Sequence, residues 1–217
     1  MSTAPDWLLQ LADAVTAAGA DAFTPVPLQA DNDEGLRKSA VLVLFGEDDH
    51  GPDVLLQQRS EDLRHHAGQP AFPGGGIDPE DDGPVAAALR EAVEEVGLDP
   101  SGVDVLSTLP QLWLPPSRNL VTPVLAWWRV PSRVTAVDPI EVAAVSRVAI
   151  ADLADPANRV MVKHPLGYTS PAFTVAGMLV WGFTGGVLDR LIKLGGWERD
   201  WDREAYVPFP IPTTATS

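Results

Sequence analysis

The sequence predicts an α/β (α+β) fold in which a mixed β-sheet is sandwiched between helices. Three observations predict it. Short apolar runs bounded by glycine, proline and aspartate recur as strands, and apolar residues at helical spacing recur between them. A 45% apolar share over 217 residues is also enough for one ordinary core with appendages.

Residues 6–18 place Trp7, Leu8, Leu11, Ala12 and Val15 on one helical face, and Pro25 and Pro27 then break the chain. The run at 40–45, Ala-Val-Leu-Val-Leu-Phe, predicts a strand buried on both faces. A turn over 46–52 leads to a second strand at 53–59, so the two read as a hairpin. Residues 60–73 read as a loop. Residues 84–96 predict a helix, with Pro84 in its first turn and Gly97 ending it. Strands are expected at 103–109, 121–130 and 142–150, and a last helix at 186–194. The most apolar stretch, 171–188, is interrupted by Gly177, Gly182, Gly185 and Gly186, which predicts a buried strand leading into that helix and not a membrane span. The tail from Pro208 is expected to fray. The organisation predicted is an N-terminal helix and linker over 1–38, a main domain over 39–196 and a C-terminal tail over 197–217.

Composition narrows the function. With no cysteine there is no disulfide, catalytic thiol or thiolate zinc site, which fits a reducing compartment. The start, Met1 to Trp7, lacks the basic segment and cleavage site of a secretion signal, so a cytoplasmic protein is expected. A net charge of −15 argues against nucleic-acid or anionic-membrane partners. A polyphosphate substrate would need cations supplied locally, by a metal or a few arginines.

The helix at 84–96 carries the chemistry. On a wheel at about 100° per residue, Glu91, Glu94 and Glu95 share one arc, and Ala86, Leu89, Val93 and Val96 lie opposite. The expectation is that the apolar stripe faces the core and the three carboxylates face outward together. Like charges at these spacings repel, so a hard divalent cation explains them better than bare solvent does. A solvated acidic face would be the plain alternative. The segment before the helix decides against it: Phe72-Pro73-Gly74-Gly75-Gly76 is a strand end running into glycines, where backbone can approach a phosphate or metal without Cβ interference. Asp78, Glu80, Asp81 and Asp82 follow, and Arg90 is placed to pair with Glu94.

Gly76, Asp82, Arg90-Glu91, Ala92, Glu94-Glu95, Gly97 and Leu98 stand at the spacing of the Nudix box, and the chain resembles the Nudix family on these residues. Two positions depart: Asp82 stands where the box has Glu, and Ala92 is a minimal aliphatic. Upstream, Leu55-Leu56-Gln57-Gln58-Arg59-Ser60, Arg64, Gly68 and Phe72-Pro73-Gly74-Gly75 resemble the pattern of Nudix hydrolases that act on coenzyme A, with Gln57 in place of Thr.

The resemblance implies a Nudix fold and hydrolysis of a pyrophosphate. The products from coenzyme A or acyl-coenzyme A would be 3′,5′-ADP and 4′-phosphopantetheine or its acyl derivative. Mg²⁺, or Mn²⁺ in its place, would be held by Glu91, Glu94 and Glu95. Catalytic roles would fall to Arg90, Glu94 and Glu141, with Glu91, Glu94 and Glu141 all open as the general base. Substrate would meet Arg59, Arg64, Gly74, Gly75 and Gly76. Arg59 and Arg64 suit the extra phosphate charge of coenzyme A, because guanidinium binds phosphate bidentately. His65 and His66 read as solvated loop residues, and the tryptophans at 113, 127, 128, 181, 197 and 201 as core or interface. The alternatives are ADP-ribose, a dinucleoside polyphosphate or a damaged NTP as substrate, or a nucleotide-sensing module without catalysis. A homodimer stays open.

Overall fold

Strand β1 (Arg37–Asp48) is the axis of the molecule. The computed structural model describes residues 4–19, 22–23, 36–63, 66–114, 118–165 and 167–210. Alternate side chains of β1 feed two separate cores. Ala40, Leu42 and Leu44 pack on one face of the sheet and Val43 and Phe45 on the other, all with no exposed surface. This two-sided burial is why the run has no polar alternation.

β1 turns at residues 49–50 into β2 (Gly51–Arg59). The turn is later and tighter than the sequence suggested, because Gly51 takes the positive φ of 108° that lets the strands run on to Asp48 and Gly51. β2 carries β3 (Pro70–Ala71) and, along most of its length, β8 (Val142–Ala149). At its other end β1 pairs with β4 (Gly74–Gly76), and along its whole second edge it runs parallel to β7 (Asn119–Trp128). β5 (Val103–Thr108) and β6 (Leu112–Leu114) complete the sheet against β7. One parallel pair among antiparallel ones makes the sheet mixed.

Helix α2 (Gly83–Val96) covers one face, where Ala87, Ala88, Ala92 and Val96 meet Leu42, Leu55, Val124, Ala126 and Trp128. Helices α1 (Asp6–Ala18) and α4 (Gly182–Leu194) cover the other with Leu8, Leu11, Val15, Val187, Leu188, Leu191 and Ile192. Burying such aliphatic side chains contributes roughly 1.5–3 kcal/mol each. The sheet is therefore sandwiched between helices, as expected. Trp7 of α1 packs edge-on against Phe45, Trp127 and Trp197, so these tryptophans belong to the core.

The 171–188 stretch differs from its sequence reading. It forms two strands, β10 (Thr169–Val175) and β11 (Met178–Val180), reversed at Ala176 and Gly177, both with positive φ. α4 then begins at Gly182, four residues earlier than expected. Gly185 is there because it packs: a Cβ on it would lie 3.0 Å from the Val180 carbonyl oxygen and 3.2 Å from that of Pro171. β10 and β11 join β9 (Arg159–Lys163) and β12 (Tyr206–Val207) in a second sheet. A short helix, α3 (Ile150–Ala154), follows β8. Of the tail from Pro208, residues 208–210 are described, and Phe209 packs on Trp181 and His164; the remainder of the tail lies outside the described residues. Among the described residues no helix is long and apolar enough to cross a membrane.

Candidate active site

Helix α2 sits closer to the sheet, and rotated, relative to the wheel reading. Its buried residues are Ala87, Ala88, Ala92, Glu95 and Val96, whereas Val93 is 40% exposed. The expectation that Glu91, Glu94 and Glu95 face outward together is corrected: Glu95 is 5% exposed, Glu91 is half-buried and Glu94 is in solvent. Small alanines let the helix approach the sheet on that side. Polar partners between β2 and β4 let a carboxylate go in with them.

Those partners are specific. Glu95 Oε2 accepts from Gln57 Nε2 at 2.7 Å and from the Gly74 backbone N–H at 2.8 Å. Arg59 Nη1 lies 3.6 Å from Glu95 Oε1. Burial outweighs these three stabilising contacts and pushes the Glu95 carboxyl up to about 7. Burial also raises Glu91, against the pull of Arg90.

The glycine turn shapes the space between the two acids. A Cβ on Gly75 would fall 2.4 Å from the Glu91 carboxyl carbon, so a larger residue would push that carboxylate out of its present position. A Cβ on Gly74 would fall 2.3 Å from the Ala40 carbonyl oxygen, so this glycine serves the β1 contact. Gly76 contributes its carbonyl oxygen, which accepts from Arg90 Nη2 at 3.0 Å.

Arg90 is the hub of the preceding loop. Its Nε and Nη2 donate to Asp81 Oδ1 and Oδ2 at 3.0 and 2.9 Å, and its Nη1 donates to Glu91 at 3.1 Å and Glu94 at 3.0 Å. The bidentate contact holds the Asp81 carboxyl below the usual carboxylate range and raises the guanidinium. Asp81, which the sequence reading did not single out, therefore anchors the loop. Nine residues separate it from Arg90, so no helical or strand period links them. Asp82 is exposed and its side chain makes no capping bond to α2.

Strand alternation could have found Gln57. Leu55, Gln57 and Arg59 share the face of β2 that meets α2, so a buried polar pair was due beneath the helix. Arg59 lies beside Glu95, and its Nε is buried without a hydrogen-bond partner among the described residues. Glu141 is exposed at the start of β8, where its backbone carbonyl accepts from the Ser60 N–H at 2.9 Å, next to Arg59. Arg64 and His65 lie outside the described residues. His66 is exposed and bonds Gln69.

Residues 35–167, more than half of the chain, match the sequence profile of the NUDIX domain. The chain belongs to the NUDIX domain family. Among solved structures, this Nudix domain is similar to a Nudix hydrolase from M. smegmatis, RenU, with a TM-score of 0.53 and 22% identity over 77% of this chain and 90% of that one. It is similar also to the MutT protein of Methanosarcina mazei, with a TM-score of 0.50 and 18% identity over 76% and 96% of the two chains. At such identities the likeness concerns the fold. In sequence it is 59% identical over 59 residues to NudL of Escherichia coli strain K12, an uncharacterized Nudix hydrolase. That stretch is 27% of this chain and 31% of NudL, so the match spans about a third of the relative.

The donor set of this Nudix site suits a hard divalent cation. Glu91 and Glu95 lie one helical turn apart, their charges act on each other, and both carboxylates rest against the Gly74–Gly75 backbone. Among the described residues no three acidic or histidine side chains are gathered into a ready-made cation site, and Glu94 is drawn onto Arg90. Two carboxylates remain, which is what Mg²⁺ uses when substrate phosphates and water supply its other ligands.

Proposed function

We propose that this chain is a divalent-cation-dependent pyrophosphohydrolase of nucleoside-diphosphate-linked small molecules, with coenzyme A or acyl-coenzyme A as its substrate. The hydrolase unit spans residues 39–196, in a cytoplasmic protein. One observation carries the reading: two carboxylates, Glu91 and Glu95, are half-buried or buried against a glycine turn, where both hold their protons more tightly than usual. Such a pair wants a positive charge between its members.

Mg²⁺, or Mn²⁺, held by Glu91 and Glu95 with Glu94 assisting, would neutralise phosphate oxygens and acidify the attacking water. Arg59, whose side chain is part-exposed beside Glu95, would donate to a phosphate oxygen. Arg90 acts by holding Asp81, the Gly76 carbonyl and two of the glutamates in register. Glu94, exposed on α2, and Glu141, exposed where its backbone carbonyl meets Ser60 beside Arg59, are the candidates to take the proton from water. Arg64 and the glycines Gly74, Gly75 and Gly76 complete the proposed substrate contacts. Coenzyme A is favoured by the continuous resemblance from Leu55 to Gly75, in which every spacing is met.

Gln57, standing where the coenzyme A pattern has Thr, favours a second reading with ADP-ribose, a dinucleoside polyphosphate or a damaged NTP as substrate. A product-resolved hydrolysis panel with Mg²⁺ separates them. Release of 3′,5′-ADP from coenzyme A with the highest kcat/KM supports the first reading. A tenfold preference for ADP-ribose would sink it.

A further inference from the structure

Gln57 is fully buried within β2, directly after Leu55 and Leu56, a position where a strand covered by a helix ordinarily carries an aliphatic residue. Its amide is only half used. Nε2 donates to Glu95 Oε2 at 2.7 Å, while Oε1 has no hydrogen-bond partner among the described residues. A buried amide with an unpaired carbonyl is a poor choice for stability. What the residue does achieve is geometric. Together with the Gly74 N–H it places two donors on a single oxygen of Glu95, which fixes the torsions of an otherwise flexible side chain. Among the described residues the other oxygen, Oε1, is left with Arg59, 3.6 Å away, beyond ordinary hydrogen-bonding distance. A threonine at this position, two bonds shorter, would not span the gap to Glu95.

We infer that Gln57 is a positioning residue of the cation site: it locks Glu95 through Oε2 so that Oε1 is presented to a divalent cation. This rests on the reading of Glu95 as a cation ligand. It gives the Thr-to-Gln departure a role in this chain: the longer amide reaches from strand to helix. Groups that orient a metal-binding carboxylate typically change metal affinity by about 10–100-fold when removed.

The test is Mn²⁺ binding to the full chain, followed by the electron paramagnetic resonance of free Mn²⁺, which needs no turnover. Four proteins are compared: wild type, Gln57→Met, Glu95→Gln and the double variant, with circular dichroism to verify folding. Methionine keeps the length and volume of glutamine but cannot donate. Gln57→Met is expected to weaken Mn²⁺ binding about tenfold or more. In the Glu95→Gln background the same substitution is expected to change it less than about twofold, because its effect passes through Glu95. Gln57→Asn, whose amide is too short, serves as a second variant should the methionine protein not fold, with the same expectation. Unchanged Mn²⁺ affinity in a folded Gln57 variant overturns the inference. An equal loss in both backgrounds overturns it too, since that marks a general structural effect. If Glu95→Gln binds Mn²⁺ as tightly as wild type, the cation reading itself fails and takes this inference with it.

Discussion

Replacing Glu95 by glutamine should make the metal-free protein more stable at neutral and alkaline pH, not less. The carboxyl is 5% exposed and its proton is held up to about 7, from an ordinary 4.5. A group whose folded value is raised favours the native state while it is protonated. Its contribution is therefore complete below 4.5 and is lost as pH rises through about 7. The gap corresponds to about 3 kcal/mol by pH 8. Glutamine cannot ionise, yet its Oε1 can still accept from Gln57 Nε2 and the Gly74 N–H, so it keeps the packing and avoids the loss.

The measurement is urea unfolding of wild type and Glu95→Gln in a chelator, at intervals from pH 4 to pH 8. The difference between the two proteins isolates Glu95 from the other titrating groups. It should grow in favour of the variant by about 3 kcal/mol across that range, or roughly 6–12 °C in Tm for a chain of this size. Adding Mg²⁺ at pH 8 should stabilise wild type and leave the variant nearly unchanged. A pH-independent difference would refute the reasoning, because it would mean that Glu95 ionises in the folded chain as readily as in the unfolded one.

Three further outcomes are expected. Gly75→Ala drives a Cβ to within 2.4 Å of the Glu91 carboxylate, so kcat should fall by about 100-fold while far-ultraviolet circular dichroism stays unchanged; normal turnover would remove Gly75 from the site. Asp81→Asn exchanges the bidentate partner of Arg90 for a neutral one, and steady-state kinetics should show kcat lowered about 10-fold or more with KM little changed. Coenzyme A should be hydrolysed with a kcat/KM about tenfold or more above that of dephospho-coenzyme A, since its 3′-phosphate offers one more charge-assisted contact, and equal values would count against coenzyme A as substrate.

What was legible in the sequence, and what was not, divides along physical lines. The unbroken apolar run at 40–45 and the proline and glycine around 84–97 were local signals, and β1 and α2 follow them. The 171–188 stretch was misjudged because apolar content says how deeply a segment is buried but not where it reverses. That depended on two residues with positive φ, one of them Ala176. The orientation of α2 was misjudged for a related reason. A helical wheel ranks faces by hydrophobicity, so it puts every glutamate outside. It has no means of knowing that Gln57 and Gly74, 38 and 21 residues earlier in the chain, provide donors that make a buried carboxylate acceptable. The spacing of the motif singled out three acids along the chain while hiding their difference in depth. That difference separates their work. Glu94 is a solvated carboxylate tied to Arg90, and Glu91 a half-buried one given room by Gly75. Glu95 is a buried one whose charge is costly until something positive meets it, so the stability the fold gives up at Glu95 is the same free energy a bound cation would return.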